Sequence, residues 1–387
     1  MDAQSLKVLH VYRTYFPDTQ GGLEEVIRQI CESTLDLGVE CRVFATSAQP
    51  SSTPVEFDRH TVVQTQSDFE IASCNFSLEA LKKFKDEWQQ ADLVHYHFPW
   101  PFADLLHFAT RCSKPSVVTY HSDIVRQRLM GAFYGPLMNR FLDSVDRIVC
   151  TSPNYFATSE VLSKFGDKVD VIPIGISSEH YSARSLVARS WVRSNFGSDY
   201  FLFVGVMRYY KGLHILLDAA RNADYKIVLV GSGPTEKELK AQAEKLGIDN
   251  VVFAGQVSDE VKHELFREAR GVVFPSYLRS EAFGVTLLEG AMHGKPMIST
   301  EVGSGTSHVN IHGDTGLVIP PGSHVSLRKA MDYMWANVAE ARKMGANARA
   351  RYEKYFTAEL MGARYHQLYR NVLKLPQQER QIKAIER

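Results

Sequence analysis

Short apolar runs alternate with amphipathic stretches from the start of the chain. LKVLHVY is followed by the loop DTQGG, then by a helical pattern from Leu23 to Leu37 that Gly38 stops, and then by the strand-like run ECRVFAT. Further strands are predicted at ADLVHYH, KPSVVTYH, DRIVCTS and KVDVIPI, each reached after a helical stretch such as SLEALKKFKDEW or PLMNRFLDSV. The rhythm lapses across IGISSEHYSARSLVARSWVRSNFGSDY and resumes with YFLFVGVM, KIVLVGSG, NVVFAGQV, GVVFPSY and PMIST. Strict alternation of strand and helix predicts doubly wound α/β sheets. The lapse places a domain boundary near residue 190, and a chain of 387 residues exceeds one comfortable core. The tail from Ala339 to Leu373 reads as helical and charged, with Tyr352, Tyr355, Phe356, Tyr365 and Tyr369 spread along it.

One stretch between two of these strands breaks the pattern usefully. SEAFGVTLLEG, Ser280 to Gly290, sets Glu281 and Glu289 on either side of a Phe-Gly break. On one continuous helix, at about 100° per residue, the two acids would stand roughly 80° apart, too far round for one acid/base dyad. The flanking strands GVVFPS and PMIST, with the Gly stop in HGKP, make Val285 to His293 a crossover helix that starts at Gly284. Glu281 then lies in the strand-to-helix loop and Glu289 in the helix. In a parallel sheet such loops line the crevice where ligands bind.

Composition narrows the function classes. Lysine plus arginine and aspartate plus glutamate both number 44, and no long basic run appears, so nucleic acid is not an expected partner. The five cysteines, Cys31, Cys41, Cys74, Cys112 and Cys150, are scattered and never form CxxC, which argues against a disulfide framework or a zinc site. They read as reduced core residues of a cytoplasmic protein. The opening run MDAQSLKVLHVYRTYF is too short and polar for a signal peptide, and no window reaches the length of a membrane span.

Several strand-to-helix connections carry candidate chemistry. Gly21 and Gly22 end a loop where a helix begins; this suits either a plain turn or amides that receive an anion. In VGVMRYYKGLHILL, Arg208 and Lys211 stand at a helix mouth, as a phosphate clamp or a solvated basic turn. VLVGSGP brings Gly231 and Gly233, whose GxG lacks the third glycine of a dinucleotide fingerprint and suits close backbone approach to a ligand as well as a bare turn. HSDIVRQ puts His121, Asp123 and Arg126 just after a strand, where the histidine can orient a hydroxyl and Asp123 and Arg126 can fix it or meet a second substrate. His95 and His97 form an HxH without a third ligand at convincing spacing and read as one strand face. No GxSxG, HExxH or complete P-loop exists. A phosphate on the helix start at Phe283 to Thr286, neutralised by Arg208 and Lys211, leaves the two acids for neutral hydroxyls, a sugar on one side and a ribose on the other. The inferred ligand is a nucleotide sugar.

These residues together resemble the retaining glycosyltransferases of family four. The resemblance spans essentially the whole chain: GG at Gly21, HSD at His121, RxxKG at Arg208 to Gly212, GSGP at Gly231, GQVSDEV at Gly255, E-x7-E at Glu281 and Glu289, and GDTGLVIPPG from Gly313. It implies the GT-B fold, two Rossmann-like doubly wound domains facing a central cleft. Residues 1–188 would bind the acceptor and 189–364 the nucleotide sugar, with a C-terminal helix at about 365–387 packed back on the first domain. It further implies that Gly22 meets the donor diphosphate, that Arg208 and Lys211 neutralise it, and that Gly231 and Gly233 approach the donor. Val257 would line the base pocket, Glu281 and His121 meet the sugar, amides at Phe283, Gly284 and Val285 meet phosphate, and Glu289 holds the ribose. Asp123 and Arg126 would serve the acceptor. One departure stands out: many members carry arginine directly after the glycine that ends the VG strand, where this chain has Val206.

HSDIVRQ with RYYKGLHILL and GSGTSHVN is most similar to mannosyl- and rhamnosyltransferases that use GDP-sugars to build bacterial surface polysaccharides. The resemblance thus implies a metal-independent hexosyltransferase without a cofactor, acting on a glycan or lipid-linked glycan. Lys82, Lys83, Lys85, Arg126, Arg128 and Arg140 either face anionic headgroups, placing the enzyme at the inner membrane face, or form a solvated surface. A UDP-sugar donor, a GT-B-like nucleotide-sugar 2-epimerase and a non-catalytic nucleotide-sugar-binding partner are the competing expectations.

Overall fold

A computed structural model describes residues 5–71, 74–124, 128–178 and 184–376. The chain forms two compact units, one reaching Gly175 and resuming at Ala358, the other Ile176–Thr357. In the first, β1 (Leu6–Val11), β2 (Val39–Ser47), β3 (Val55–Phe57), β4 (His60–Gln66), β5 (Phe69–Ile71), β6 (Cys74–Phe76), β7 (Leu93–Phe98), β8 (Ser116–Tyr120), β9 (Arg147–Cys150) and β10 (Val169–Val171) follow in order. Eight of them make a sheet of order β10-β9-β8-β7-β1-β2-β4-β3, antiparallel only where β3 meets β4. β5 and β6 pair separately as a hairpin. Every residue of β7 and β8 is buried, as expected for parallel strands covered on both faces.

The second unit holds β11 (Phe201–Val204), β12 (Ile227–Val230), β13 (Val251–Gly255), β14 (Gly271–Phe274), β15 (Met297–Thr300) and β16 (Gly316–Ile319). Their order, β13-β12-β11-β14-β15-β16, is that of a dinucleotide-binding sheet, all parallel. The order reverses between β11 and β14, so the loops after these two strands flank the crevice. Phe201, Phe203, Leu229, Val273 and Ile298 join Leu216, Met331 and Met334 in one core beneath it.

Two expectations change. The first unit closes at Gly175 and not at residue 188, because helix Leu186–Phe196 is tied to helix Asp259–Glu268, with Arg189 Nε 2.9 Å from Glu268 Oε1. The tail is helical as expected and runs as two helices, Val338–Tyr355 and Ala358–Val372, parted at Phe356, which is 1% exposed and stacks edge-on with Phe283 and His308. The chain therefore rejoins the first unit at Ala358, ahead of residue 365. There, helix Ala358–Val372 lies on helix Gly22–Leu35 so closely that a Cβ on Gly362 would stand 2.6 Å from Ser33 O. Residues 377–387 of the expected helix lie outside the described residues.

Candidate functional site

The loop after β11 is pinned to the loop after β14 backbone against backbone. Gly212 has φ +70°, and a Cβ there would fall 2.1 Å from Pro275 O, so only glycine fits. Tyr277 N donates to Tyr210 O at 3.0 Å across the same seam. This fixes Lys211, whose Nζ donates to Glu281 Oε2 at 2.5 Å and sits 4.7 Å from the centre of the Phe274 ring. Ser276 Oγ donates to the same carboxylate oxygen at 2.9 Å. Both partners are largely buried, with side chains 12% and 9% exposed, and Glu281 Oε1 is left without a bond to any described residue. A buried pair of this kind is costly to break from one side, because the remaining charge loses its compensation.

Beyond Glu281 comes helix Val285–Met292, capped by Gly284 at φ +88°. The amides of Phe283, Gly284 and Val285 donate to no described residue, and Thr286 Oγ1 ties the helix start to Val204 O at 3.0 Å. A helix mouth with open amides attracts an anion. Glu289, one turn further, pairs with Lys262 Nζ at 3.0 Å from helix Asp259–Glu268. Each acid of the E-x7-E pair thus meets a different lysine, and Lys262 Nζ also pairs with Asp259 Oδ1 at 2.8 Å. Ser276 and Lys262 escaped the sequence reading because their contacts join different strand-to-helix connections, and no local spacing encodes that.

The remaining second-unit residues divide. Arg208 is exposed and lines a groove with Tyr209, His214, Glu238 and Tyr277, and makes no ion pair with Glu281. Gly231 and Gly233 are required by the chain itself. A Cβ on Gly231 would meet Gly205 O at 2.2 Å, and one on Gly233 would meet Met207 N and O at 2.6 Å, which packs the β12 loop onto the β11 loop. Val257 is half-buried between β13 and helix Asp259–Glu268.

In the first unit, Gly21 is the N-cap of helix Gly22–Leu35 in extended geometry. A Cβ on Gly21 would run into the Glu24 carboxylate at 2.6 Å, whereas no described residue lies within 4 Å of a Cβ on Gly22. Asp123 is engaged locally: its Oδ1 accepts from Tyr120 Oη at 2.9 Å and Ser159 Oγ at 3.0 Å, which shapes the loop after β8. Arg126 and the side chain of Arg128 lie outside the described residues. His121 is 4% exposed, and burial pushes it down to about 3, so it is neutral at any working pH. Its Nε2 meets His97 Nδ1 at 3.0 Å.

The HxH pair is more than a strand face. His95 Nδ1 meets Tyr369 Oη at 2.8 Å and its Nε2 meets Thr119 Oγ1 at 2.7 Å, and Thr119 in turn bonds Tyr365 Oη at 2.9 Å; these bonds fasten the last described helix to the sheet. A third histidine does reach the pair, His10 from β1, with ligand atoms of all three within 4.8 Å of one another. The ring nitrogens of His95 and His97 are all committed to hydrogen bonds.

Comparison with known proteins agrees with this geometry. The family described as "Glycosyltransferase Family 4" matches residues 20–180 and that described as "Glycosyl transferases group 1" matches 192–351. The chain is 52% identical over 353 residues to the D-rhamnosyltransferase WbpZ of Pseudomonas aeruginosa, covering 91% of this chain and 93% of that protein. It is 48% identical over 368 residues to the O-antigen chain mannosyltransferase C of Escherichia coli, covering 95% and 99%. Among solved structures, sucrose-phosphate synthase from Thermosynechococcus elongatus superposes with a TM-score of 0.79 at 21% identity, covering 95% of this chain and 99% of that one. With Lys211, Glu281 and the open helix mouth placed at the reversal of a dinucleotide-binding sheet, the chain belongs to glycosyltransferase family 4 and has the GT-B fold.

Proposed function

We propose that the chain transfers a hexosyl group, mannose or D-rhamnose, from its GDP-linked form to a hydroxyl of a growing, lipid-linked surface polysaccharide, with retained anomeric configuration. The observation that carries this is Lys211 on Glu281 beside the open amides of Phe283, Gly284 and Val285. One cation and a run of amides suit a diphosphate, and the free Glu281 Oε1 suits a sugar hydroxyl. The two relatives named for D-rhamnose and O-antigen mannose transfer, each covering at least nine-tenths of the chain, support the hexose class and the growing polymer.

In this reading the bond from the anomeric carbon to the diphosphate breaks while the acceptor oxygen attacks from the same face, and the acceptor's proton passes to the departing diphosphate oxygen. Lys211 and the helix amides stabilise the charge that develops there, a role for which no metal is needed. His121 orients the sugar, Gly22 lets backbone approach the diphosphate, and Glu289 exchanges part of its contact with Lys262 for ribose hydroxyls. Arg208 contributes its charge to the same loop.

A peripheral position at the cytoplasmic membrane face is supported by the first unit. It exposes Phe69, Ile71, Leu78, Leu81 and Leu105, and Lys82 and Lys85 of helix Ala80–Gln90 are exposed as well. No helix among the described residues is long and apolar enough to cross a membrane.

Thermal denaturation with GDP-mannose, GDP-rhamnose, UDP-glucose and UDP-N-acetylglucosamine tests the donor, since only a bound ligand raises the midpoint. A GDP-sugar shift is expected; a response to UDP-sugars alone overturns the donor assignment. Glu281→Ala is expected to abolish transfer while keeping that shift, and full turnover in this variant removes Glu281 from the site. A new free sugar released without acceptor would instead show an epimerase.

A further inference from the structure

Three histidine rings form a hydrogen-bonded line through the first unit. His10 Nδ1 on β1 meets His97 Nε2 on β7 at 3.0 Å, and His97 Nδ1 meets His121 Nε2 at 3.0 Å. The rings lie almost parallel, with centroids 5.3 Å apart at both steps and interplanar angles of 21° and 19°. They are 0%, 1% and 4% exposed. His95 stands outside the line, its nitrogens held by Tyr369 and Thr119, and stacks on His97 with centroids 4.4 Å apart.

A neutral imidazole has one proton for two nitrogens, so fixing the proton on one ring of such a line fixes it on all. The structure decides the direction at the His10 end. His10 Nε2 is buried and has no hydrogen-bond partner among the described residues. A buried N–H without an acceptor is rarer and more costly than a lone pair without a donor. The His10 proton therefore sits on Nδ1, where His97 Nε2 accepts it. His97 must then carry its proton on Nδ1 and donate it to His121 Nε2. His121 is left with its own proton on Nδ1, the nitrogen that bonds no described residue.

We propose that His10 and His97 are positioning residues for hexosyl transfer, locking His121 as the Nδ1–H tautomer so that its ring presents a fixed hydrogen-bond donor to an oxygen of the transferred sugar. This rests on the reading above in which His121 meets the donor sugar. A ring locked in this way recognises an acceptor atom and does not take a proton from one.

Nitrogen-15 NMR of the histidine-labelled full chain tests the line without reference to turnover. Expected are a protonated Nδ1 and an unprotonated Nε2 for His121, a mixed tautomer in His97→Leu, and restoration in His97→Gln, whose amide still donates to His121. A proton on His121 Nε2, an unchanged tautomer in His97→Leu, or a metal ion bound stoichiometrically to these nitrogens overturns the proposal. In turnover, His97→Leu is expected to lose about 10- to 100-fold in kcat with donor KM little changed, and His97→Gln to recover most of it. A His121→Ala variant that transfers at the parent rate defeats the functional reading while leaving the tautomer result standing, so the two failures are distinguishable.

Discussion

Lys211 has one ammonium to give, and Glu281 and the Phe274 ring occupy it. In the proposed function a donor diphosphate shares that charge, which ties stability and turnover to one contact. Lys211→Met strands the Glu281 carboxylate in a buried position and is expected to cost about 3–5 kcal/mol in denaturant unfolding. Turnover should fall about 10²- to 10³-fold with it. Adding Glu281→Gln to Lys211→Met should restore the stability and none of the turnover; a double variant as unstable as the single one contradicts the pairing. These two residues were legible because RxxKG and E-x7-E are local patterns. Ser276 and Lys262 were not, since each meets its glutamate only after the strands are laid side by side. Gly231 and Gly233 were open to two readings, a ligand's approach or a bare turn, and the backbone at Gly205 and Met207 is by itself enough to require glycine at both.

Two helix starts distinguish a glycine that the fold needs from one that it does not. Gly284 has φ +88°, and a Cβ would lie 3.1 Å from the Phe274 ring and 3.2 Å from Leu287. Gly284→Ala is expected to cost about 2 kcal/mol and to turn the open amides away from their present direction. Gly22 has no such constraint, for a Cβ there meets no described residue within 4 Å. Gly22→Ala should leave the denaturation midpoint where it is and weaken donor binding in titration calorimetry; unchanged binding would make the GG a plain turn. Strand and helix order in the long elements could be read from the apolar rhythm. β3, β5 and β6 could not, being three-residue pieces with polar or exposed positions, and the seven-residue HTVVQTQ of β4 is too polar to show against its loops. The break at Phe356 was equally invisible, because the residues on both sides keep helical periodicity and only the packing on Phe283 and His308 interrupts it.

At the scale of the molecule, burial keeps many histidines neutral in the folded chain. His121 is pushed down to about 3, and His107 and His293 to about 4, from an ordinary 6.5, chiefly by loss of water around the ring. In the unfolded chain each takes a proton below about pH 6.5, whereas the folded chain refuses it until about pH 4 or 3. The unfolded state therefore binds more protons across that window, and stability drops as pH falls through it. Each such histidine should remove about 2 kcal/mol between pH 7 and pH 5. Melting curves are expected to show a midpoint falling steeply below pH 6.5, and a flat profile down to pH 5 contradicts the burial. The two-unit plan was legible from the lapse in strand rhythm, but the unit that owns each segment was not, since that depends on contacts such as Arg189 with Glu268. Helix Ala358–Val372 matters beyond these contacts, because its Tyr365 and Tyr369 reach Thr119 and His95 of a sheet translated long before. About 180 residues separate Gly175 from Ala358, which is roughly 10–40 s of synthesis at ordinary elongation rates. Throughout that interval the nascent first unit stands on the ribosome with one flank uncovered, a surface for chaperones to guard until the final helix emerges.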